Sequence, residues 1–326
     1  MPTALALTLD ARTGVAEAAR VLGADNVRRV VATGNGAAYY VALALSLAAL
    51  ESNDGPEIVA MPAGIVADPR FRWRSGDRLL AISSSGEFKD VVKAIDAGAP
   101  RPIVAITATA TSTLAGLANV VVLQTVLHQR AITHTQALAG ALALGLLIWA
   151  EVTSDRLLAA AAEAGPAALE SAISTAPTWA RAALAGVPYP SAGAAFGTGP
   201  AWAGALETAL LLKEIARIPA EGVETREGAT SVMYGLAPGH LVLALKTRDD
   251  PGLAEAVRLC QATGATVLEV PGGDLADRRF ALATSLPATA ATAALLAQQA
   301  GHDVDHPTWT DAYYSTARGT ATEDET

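Results

Sequence analysis

The feature that most constrains the fold of this chain is a regular alternation of short apolar runs with helical segments. Val- and Ile-containing runs recur along both halves of the sequence, and helix-like patterns separate them. This alternation is typical of βαβ units, in which helices connect parallel strands. We therefore predict an α/β fold with parallel sheets. The predicted strands span 27–33, 57–62, 77–83, 102–107, 119–124, 191–197, 240–246, 264–270 and 279–284.

The strand spacing of the first half recurs in the second half. The intervals are 48, 69 and 86 positions in both halves, measured from Gly34 to Ile82, Ile103 and Val120 and from Gly197 to Leu245, Thr266 and Ala283. A repeated spacing of this kind indicates a duplicated domain. We expect two similar three-layer αβα domains at 1–155 and 189–318, with linking helices at 156–188 and a disordered acidic tail at 319–326.

Composition excludes several classes of partner. The formal charge of −9 and the pI near 5.1 argue against nucleic acid, which is held mainly by clustered Lys and Arg. Cys260 is the single cysteine, and the first residues lack the pattern of a secretory signal, so we expect a cytoplasmic protein. The longest apolar stretches, 37–50 and 137–150, are shorter than the roughly 20 residues that span a bilayer. They are predicted to be buried helices, and no membrane partner is expected.

Hydroxyl groups and glycines follow two of the predicted strands. The loop 83–87 joins a strand to a helical pattern, and a helix N-terminus offers N–H groups and a partial positive charge. This loop suits an anion or sugar hydroxyls, although serines that only cap a helix would give the same pattern. In the loop 34–39, Tyr39 replaces the third glycine of G-x-G-x-x-G, so no dinucleotide cofactor is predicted. The candidate binding residues are Gly34, Asn35, Ser83, Ser84, Ser85 and Glu87.

Two glutamates lie on an apolar helical stripe. Steps of three and four residues from Ala203 reach Glu207, Leu210, Leu211, Glu214 and Ile218. Burial of an acid is costly unless the acid is paired, and it raises the pKa towards the range useful for proton transfer. Glu214 is the first candidate for a proton-transfer residue and Glu207 a candidate for substrate binding. The alternative is that Lys213 or Arg217 neutralises both carboxylates in a structural role.

The histidines provide weaker signals. His134 precedes the apolar helix that begins near residue 137, and a lone histidine in such a place is more often structural than catalytic. The segment 302–306 contains two histidines and two aspartates, but Pro307 follows and no further cluster of ligands accompanies them. We predict no metal site.

Six segments, in this order, resemble the double SIS (sugar isomerase) family, which includes the isomerase half of glucosamine-6-phosphate synthase and related aminosugar-phosphate isomerases and deaminases. The resemblance covers nearly the whole chain. The segments are TGNGA (33–37), SSSGEF (83–88), ITHTQ (132–136), ALETALLLKE (205–214), IPAEGVETREG (218–228) and DVDHP (303–307).

The resemblance implies roles for individual residues. Glu214 matches the glutamate that moves a proton between C1 and C2, the loop 83–87 matches the phosphate-binding loop, and Thr135 lies in a segment that lines the family's pocket. Four positions depart from the pattern: Gly36 and Phe88 replace hydroxyl residues, Thr230 replaces a ring-opening histidine, and Ala312 replaces a lysine. We take His134 and then His306 as candidates for ring opening, and Arg226 as a candidate for binding an anionic group.

Two functions are compatible with these residues. The first is a cofactor-independent isomerase, or aminosugar isomerase or deaminase, that acts on a sugar or sugar phosphate and uses Glu214 for proton transfer. The second is a protein that binds a sugar derivative without turning it over, which the missing histidine and lysine favour. The resemblance also implies a homodimer with sites near the subunit interface.

Overall fold

The computed structural model describes residues 1–52, 54–128, 133–248, 250–304, 312 and 315–317. The helices are α1 (Pro2–Ala11), α2 (Val15–Leu22), α3 (Ala37–Ala49), α4 (Ala63–Val66), α5 (Lys89–Asp96), α6 (Thr113–Leu117), α7 (Thr135–Thr153), α8 (Arg156–Glu163), α9 (Gly165–Ala183), α10 (Ala201–Glu214), α11 (Thr225–Thr230), α12 (Leu253–Ala262) and α13 (Ala281–Ala300). The strands are β1 (Arg29–Gly34), β2 (Glu57–Pro62), β3 (Asp77–Ile82), β4 (Val104–Thr107), β5 (Val120–Leu123), β6 (Ala192–Gly197), β7 (Ala220–Glu224), β8 (His240–Leu245) and β9 (Thr266–Val270). Short 3₁₀ turns occupy Val232–Gly235 and Arg278–Phe280.

The strands form two parallel sheets. The first has the order β2-β1-β3-β4-β5 and the second the order β7-β6-β8-β9. Helices cover both faces, because alternate side chains of each buried strand point to opposite sides. In β3, Leu80 and Ile82 join the core cluster that contains α3 and α7, whereas Leu79 and Ala81 pack with residues of α5 and α6. The predicted α/β fold with αβα layers is confirmed.

The prediction for residues 279–284 is wrong, and one strand was not predicted. The run at 279–284 lies in the turn Arg278–Phe280 and the start of α13. It is buried and Ala-rich, and a short apolar run with this composition fits a buried helix as well as a strand. Strand β7 has the sequence AEGVE and forms an edge of the second sheet, where polar side chains and a glycine are tolerated. Its sequence therefore lacks the apolar run of a central strand.

The two sheets correspond over four strands. The interval of 48 residues is the register between β1 and β3, where Arg29 pairs with Asp77, and between β6 and β8, where Ala192 pairs with His240. Gly34 and Gly197 also play the same part: a Cβ on either would lie 2.9 Å from the backbone nitrogen of Tyr39 or Trp202. The interval of 86 residues leads from Gly34 to strand β5 in the first half but from Gly197 to helix α13 in the second half, so it does not reach a strand in both.

Apolar helices fill the space between the two sheets. One core cluster includes residues of α3, α7, α10 and α13 together with strands of both sheets. The segments Thr135–Thr153 and Arg278–Ala300 are long and apolar enough to cross a membrane, but 78% and 72% of their most apolar windows are buried inside the protein. Burial of this extent is typical of core helices. Helices α8 and α9 lie between β5 and β6 in the sequence, that is, between the strands of the first and second sheets. Helix α9 packs along α13.

Candidate active site

The serine loop 83–87 follows β3 at the carboxyl edge of the first sheet. Ser83 is buried, and its Oγ accepts a hydrogen bond of 3.1 Å from the backbone N–H of Gly86. The Oγ of Ser85 accepts one of 3.3 Å from the N–H of Glu87. These bonds hold the loop in a compact turn before α5, but no serine caps that helix, because its N-cap is Phe88 and has no side-chain cap hydrogen bond.

The serine hydroxyls also retain the capacity to donate. A hydroxyl has one donor and two acceptor positions, and the bonds to Gly86 and Glu87 use acceptor positions of Ser83 and Ser85. Among the described residues, none accepts a hydrogen bond from Ser83, Ser84 or Ser85. The loop therefore presents O–H donors that suit the oxygens of a phosphate or a sugar.

The side chain of Glu87 points towards helix α6. Its Oε1 accepts from the N–H of Thr113 at 2.8 Å, and its Oε2 accepts from the hydroxyl of Thr113 at 2.7 Å. A carboxylate at a helix N-terminus is favourable, since it satisfies unpaired N–H groups and the helix dipole. The contacts of Glu87 in the structure are thus structural, and its predicted contact with substrate stays a prediction.

Gly86→Ala is expected to lower the free energy of unfolding by about 2 kcal/mol and to weaken ligand binding by the serine loop. Gly86 has φ +71°, and a Cβ at this position would lie 2.5 Å from the Cβ of Ser112 and overlap its hydroxyl. Urea denaturation and ligand titration measure the two effects. Gly116→Ala is the control, because a Cβ there meets no heavy atom within 4 Å. A Gly86→Ala protein with wild-type stability would contradict the close packing of this turn.

The loop after β1 lies next to the serine loop and also approaches helix α10. Thr33 pairs with Ala81 in the sheet, so Asn35 and Ser83 follow the ends of neighbouring strands. The chain then turns at Gly36, where φ is +52°, and a Cβ there would lie 4.0 Å from Leu210 of α10. The carboxyl edge of the first sheet therefore approaches the stripe of α10, and the region where they meet is the candidate crevice.

Helix α10 brings its two glutamates towards the interior. Only 4% of the Glu207 surface is exposed, and its Oε2 has no hydrogen-bond partner among the described residues. Glu214, two turns later, is half-buried at the carboxyl end of the helix. The helix packs against α3, α13 and β7, so the stripe between the two glutamates is covered by neighbouring elements.

Burial changes the proton affinities of this cluster. Desolvation, and then the charge of Glu214, raise the pKa of Glu207 to about 8. Desolvation also raises the pKa of Glu214, and the ammonium group of Lys213 opposes this shift. At neutral pH the two carboxyl groups therefore differ: Glu207 holds a proton, and Glu214 is the more readily ionised of the pair.

The structural alternative for the glutamates is not supported. Arg217 donates a hydrogen bond of 3.2 Å to the carbonyl oxygen of Asp303 rather than to either carboxylate. Lys213 is exposed; its charge lowers the pKa of Glu214, but it forms no ion pair with either carboxylate. Within the described part of the chain, no ion pair involves Glu207 or Glu214. Two interacting acids without an ion-pair partner, one of them buried, indicate a site for chemistry or ligand binding.

Tyr40 is a member of the cluster that sequence analysis did not single out. It lies in the first turns of α3, and desolvation followed by the charges of Glu207 and Glu214 raises the pKa of its phenol to about 12. Its ring centroid is 5.9 Å from that of Tyr39. Two tyrosines in the first turns of a helix after a glycine loop place polar groups near that loop, but the sequence gives no signal that they meet α10.

The positions of the remaining candidates are as follows. His134 is exposed at the N-cap of α7, and Thr135 is the first residue of that helix. Arg226 is exposed on α11, and its Nη1 lies 2.9 Å from Oε2 of Glu255, with which it forms an ion pair. His306 lies outside the described residues. The structure thus brings together Glu207, Glu214 and Tyr40 near Gly34–Gly36, but gives no contact of Arg226 with that group.

At the corresponding edge of the second sheet, three side chains contact one another. The hydroxyl of Thr198, after β6, lies 2.7 Å from that of Thr225 and 2.5 Å from Oδ2 of Asp250. Asn35 and Glu87 occupy the corresponding positions of the first half, and there the glutamate turns away to Thr113. Ligands of open α/β sheets bind at the carboxyl ends of strands, which favours the edge of the first sheet as the candidate binding region.

Comparison with known proteins places this geometry in a structural context. No protein-family model matches the chain. No curated protein matches its sequence. Solved structures do match. The chain shares their fold. The C-terminal domain of glucosamine-fructose-6-phosphate aminotransferase from Francisella tularensis superposes with a TM-score of 0.80 at 17% identity, over 94% of this chain and 95% of that one.

Two further structures match over similar lengths. Glucosamine-6-phosphate deaminase from Thermotoga maritima has a TM-score of 0.69 at 19% identity, with 92% of this chain and 97% of that chain covered. Tagatose-6-phosphate ketose/aldose isomerase from Escherichia coli has a TM-score of 0.71 at 15% identity, with 94% of each chain covered. At these identities the likeness establishes the fold, and the chemistry has to be argued from the residues of this chain.

Proposed function

We propose that this chain is a cofactor-independent isomerase of the SIS type that acts on a sugar or sugar phosphate and transfers a proton between adjacent carbons. The observation that carries the proposal is the interacting acids Glu207, which is buried, and Glu214, which is half-buried; neither forms an ion pair with a described residue, and both lie on the helix that meets the carboxyl edge of a parallel sheet. The shared fold with sugar-phosphate enzymes supports the same class of substrate.

Each part of the crevice has a task in this reaction. The hydroxyls of Ser83, Ser84 and Ser85 bind the phosphate or hydroxylated end of the substrate. Glu214, which is ionised more readily than Glu207, removes a proton from the carbon next to the carbonyl group and returns it to the neighbouring carbon. A raised pKa suits this role, because a base with a pKa nearer to neutrality holds the proton well enough to return it.

Glu214→Gln is expected to lower the rate of proton transfer by at least about 10³-fold, because the amide neither accepts nor returns a proton. The measurement is proton NMR in D₂O with a panel of aldose and ketose phosphates, aminosugar phosphates and their unphosphorylated forms. The wild-type protein should remove the C1 or C2 proton signal of at least one member. Glu170→Gln, which changes an exposed glutamate of α9, is the matched control and should exchange at the wild-type rate.

A second candidate function is binding of a sugar derivative without turnover. It is favoured by the exposed position of His134, and by the lack of any described histidine or lysine beside Glu207 that would open a sugar ring. Line broadening of a panel member without loss of any proton signal would support this function and overturn the isomerase. We also propose, for either function, that the protein is a homodimer with sites near the subunit interface. The proposed domain bounds are residues 155 and 189.

A further inference from the structure

Glu207 and Tyr40 are two weak acids that interact electrostatically with Glu214. Glu207 is buried and its Oε2 has no partner, and the phenol of Tyr40 accepts and donates no hydrogen bond among the described residues. A buried polar group without a partner is unfavourable, and a ligand atom that pairs with it recovers the lost free energy. A ligand oxygen that reaches Oε2 of Glu207 and the phenol of Tyr40 would supply the partner that each group lacks among the described residues.

We propose that Tyr40 and Glu207 form a pair of hydrogen-bond donors for the oxygen that becomes negative when Glu214 removes a proton from the adjacent carbon. The inference rests on the proposed isomerase function and assigns the stabilising groups of the same site. Donors that are already in place where charge develops, in a site shielded from water, stabilise the transition state strongly.

The charges around the pair favour this assignment. Helix α10 packs against elements that carry few titratable side chains: Tyr39 and Tyr40 on α3, Glu221 and Glu224 on β7, His240 on β8, and Arg278 and Arg279 in the turn before α13. Besides burial, the charge that acts on Glu207 is that of Glu214, and the charges that act on Tyr40 are those of Glu207, Glu214 and Tyr39. Every one of these raises the proton affinity, so both groups keep their protons at neutral pH.

The proton transfers balance over one turnover. Glu214 takes the proton from the carbon that bears a hydroxyl group next to the carbonyl. The C–H electron pair forms a C=C bond, and the π pair of the carbonyl moves onto its oxygen, which receives the proton of Glu207 while Tyr40 donates a hydrogen bond. Glu214 then returns its proton to the former carbonyl carbon, and Glu207 regains a proton from the neighbouring hydroxyl, which becomes the new carbonyl. Both carboxyl groups end as they began.

The first test separates the donor pair from the base. Tyr40→Phe and Glu207→Leu are each expected to lower kcat by about 10²- to 10³-fold, with KM changed by less than about threefold, because each removes one donor to the developing charge. Glu207→Gln keeps an N–H donor and is expected to recover about tenfold of the Leu variant's loss. Tyr39→Phe is the matched control and should retain the wild-type kcat. Wild-type kcat in both Tyr40→Phe and Glu207→Leu, with activity lost in Glu214→Gln, would overturn the donor pair and leave the isomerase intact.

The second test does not require turnover. At pH 7 the infrared carbonyl stretch of a protonated carboxyl group should be present in the wild type and in Glu214→Gln, and absent in Glu207→Gln. A spectrum without that band would overturn the inference whatever the activity. If the wild type exchanges no proton of any panel sugar, the proposed function fails, and ligand affinity measured by NMR titration decides the donor pair. Affinity that falls above pH 8 in the wild type, but not in Glu207→Gln, supports donation, and affinity independent of pH in both overturns it.

Discussion

Glu207→Gln is expected to gain about 3 kcal/mol in free energy of unfolding over the wild type between pH 4.5 and pH 7. The reason is that the variant removes a titration that destabilises the folded wild-type protein. The pKa of Glu207 is about 8 in the folded state, whereas its ordinary value is 4.5. Each unit of difference corresponds to about 1.4 kcal/mol.

The direction of this effect follows from where the proton is bound. Below pH 4.5 the carboxyl group is neutral in the folded and unfolded states, so the stability that its protonation provides is fully present. Between pH 4.5 and 8 the unfolded state ionises while the folded state keeps its proton, and the stability of the wild type falls. Above pH 8 both states are ionised and the fall ends. The amide of Gln does not titrate, so the stability of Glu207→Gln shows no such fall with pH.

Urea denaturation at a series of pH values measures the difference between the two proteins. The slope with pH is the decisive quantity, because burial of the Gln amide adds an offset that does not depend on pH. Glu170→Gln changes an exposed glutamate and should follow the wild type at every pH. If the free energy of unfolding changes with pH in parallel for Glu207→Gln and the wild type, Glu207 is ionised in the folded protein at neutral pH. The proposal of a neutral acid at this position would then fail.

The sequence predicted those strands whose buried side chains form a clear apolar run. Strands such as β3 and β8 are buried on both faces, so their apolar runs stand out against the polar loops around them. The edge strand β7 has only partial burial and a polar sequence, and no periodicity distinguishes it from a loop. The start of α13 is apolar throughout, so its period does not distinguish a strand from a buried helix.

The candidate site was predictable on α10 and not on α3. Glu207 and Glu214 interrupt an apolar stripe, and a charged residue in such a stripe is visible in the sequence alone. Tyr40 joins them only because α3 of the first half packs against α10 of the second half, a contact between segments far apart in the chain. The ion pair of Arg226 with Glu255 likewise depends on the packing of α11 against α12. Local patterns do not contain such contacts.

The position of α10 relative to both sheets is therefore what assembles the crevice. The loop after β1 approaches the helix at Leu210, and β7 supports it from the second sheet. That support is close, because a Cβ added to Gly222 of β7 would lie 2.5 Å from the carbonyl oxygen of Ala205 and 2.5 Å from the backbone nitrogen of Leu206. Backbone atoms yield less readily than the end of a flexible side chain, so a glycine is required at this contact.

Gly222→Ala is expected to lower the free energy of unfolding by about 3 kcal/mol and to displace the helix segment that carries Glu207. The added methyl group forces α10 away from β7, which admits water to the carboxyl group and relieves the desolvation that raises its pKa. Urea denaturation should show lower stability together with a smaller fall between pH 4.5 and 7 than in the wild type. Gly235→Ala, where a Cβ meets no heavy atom within 4 Å, should retain both properties. A Gly222→Ala protein that keeps the wild-type stability and pH dependence would contradict the conclusion that contact with β7 fixes the depth of Glu207.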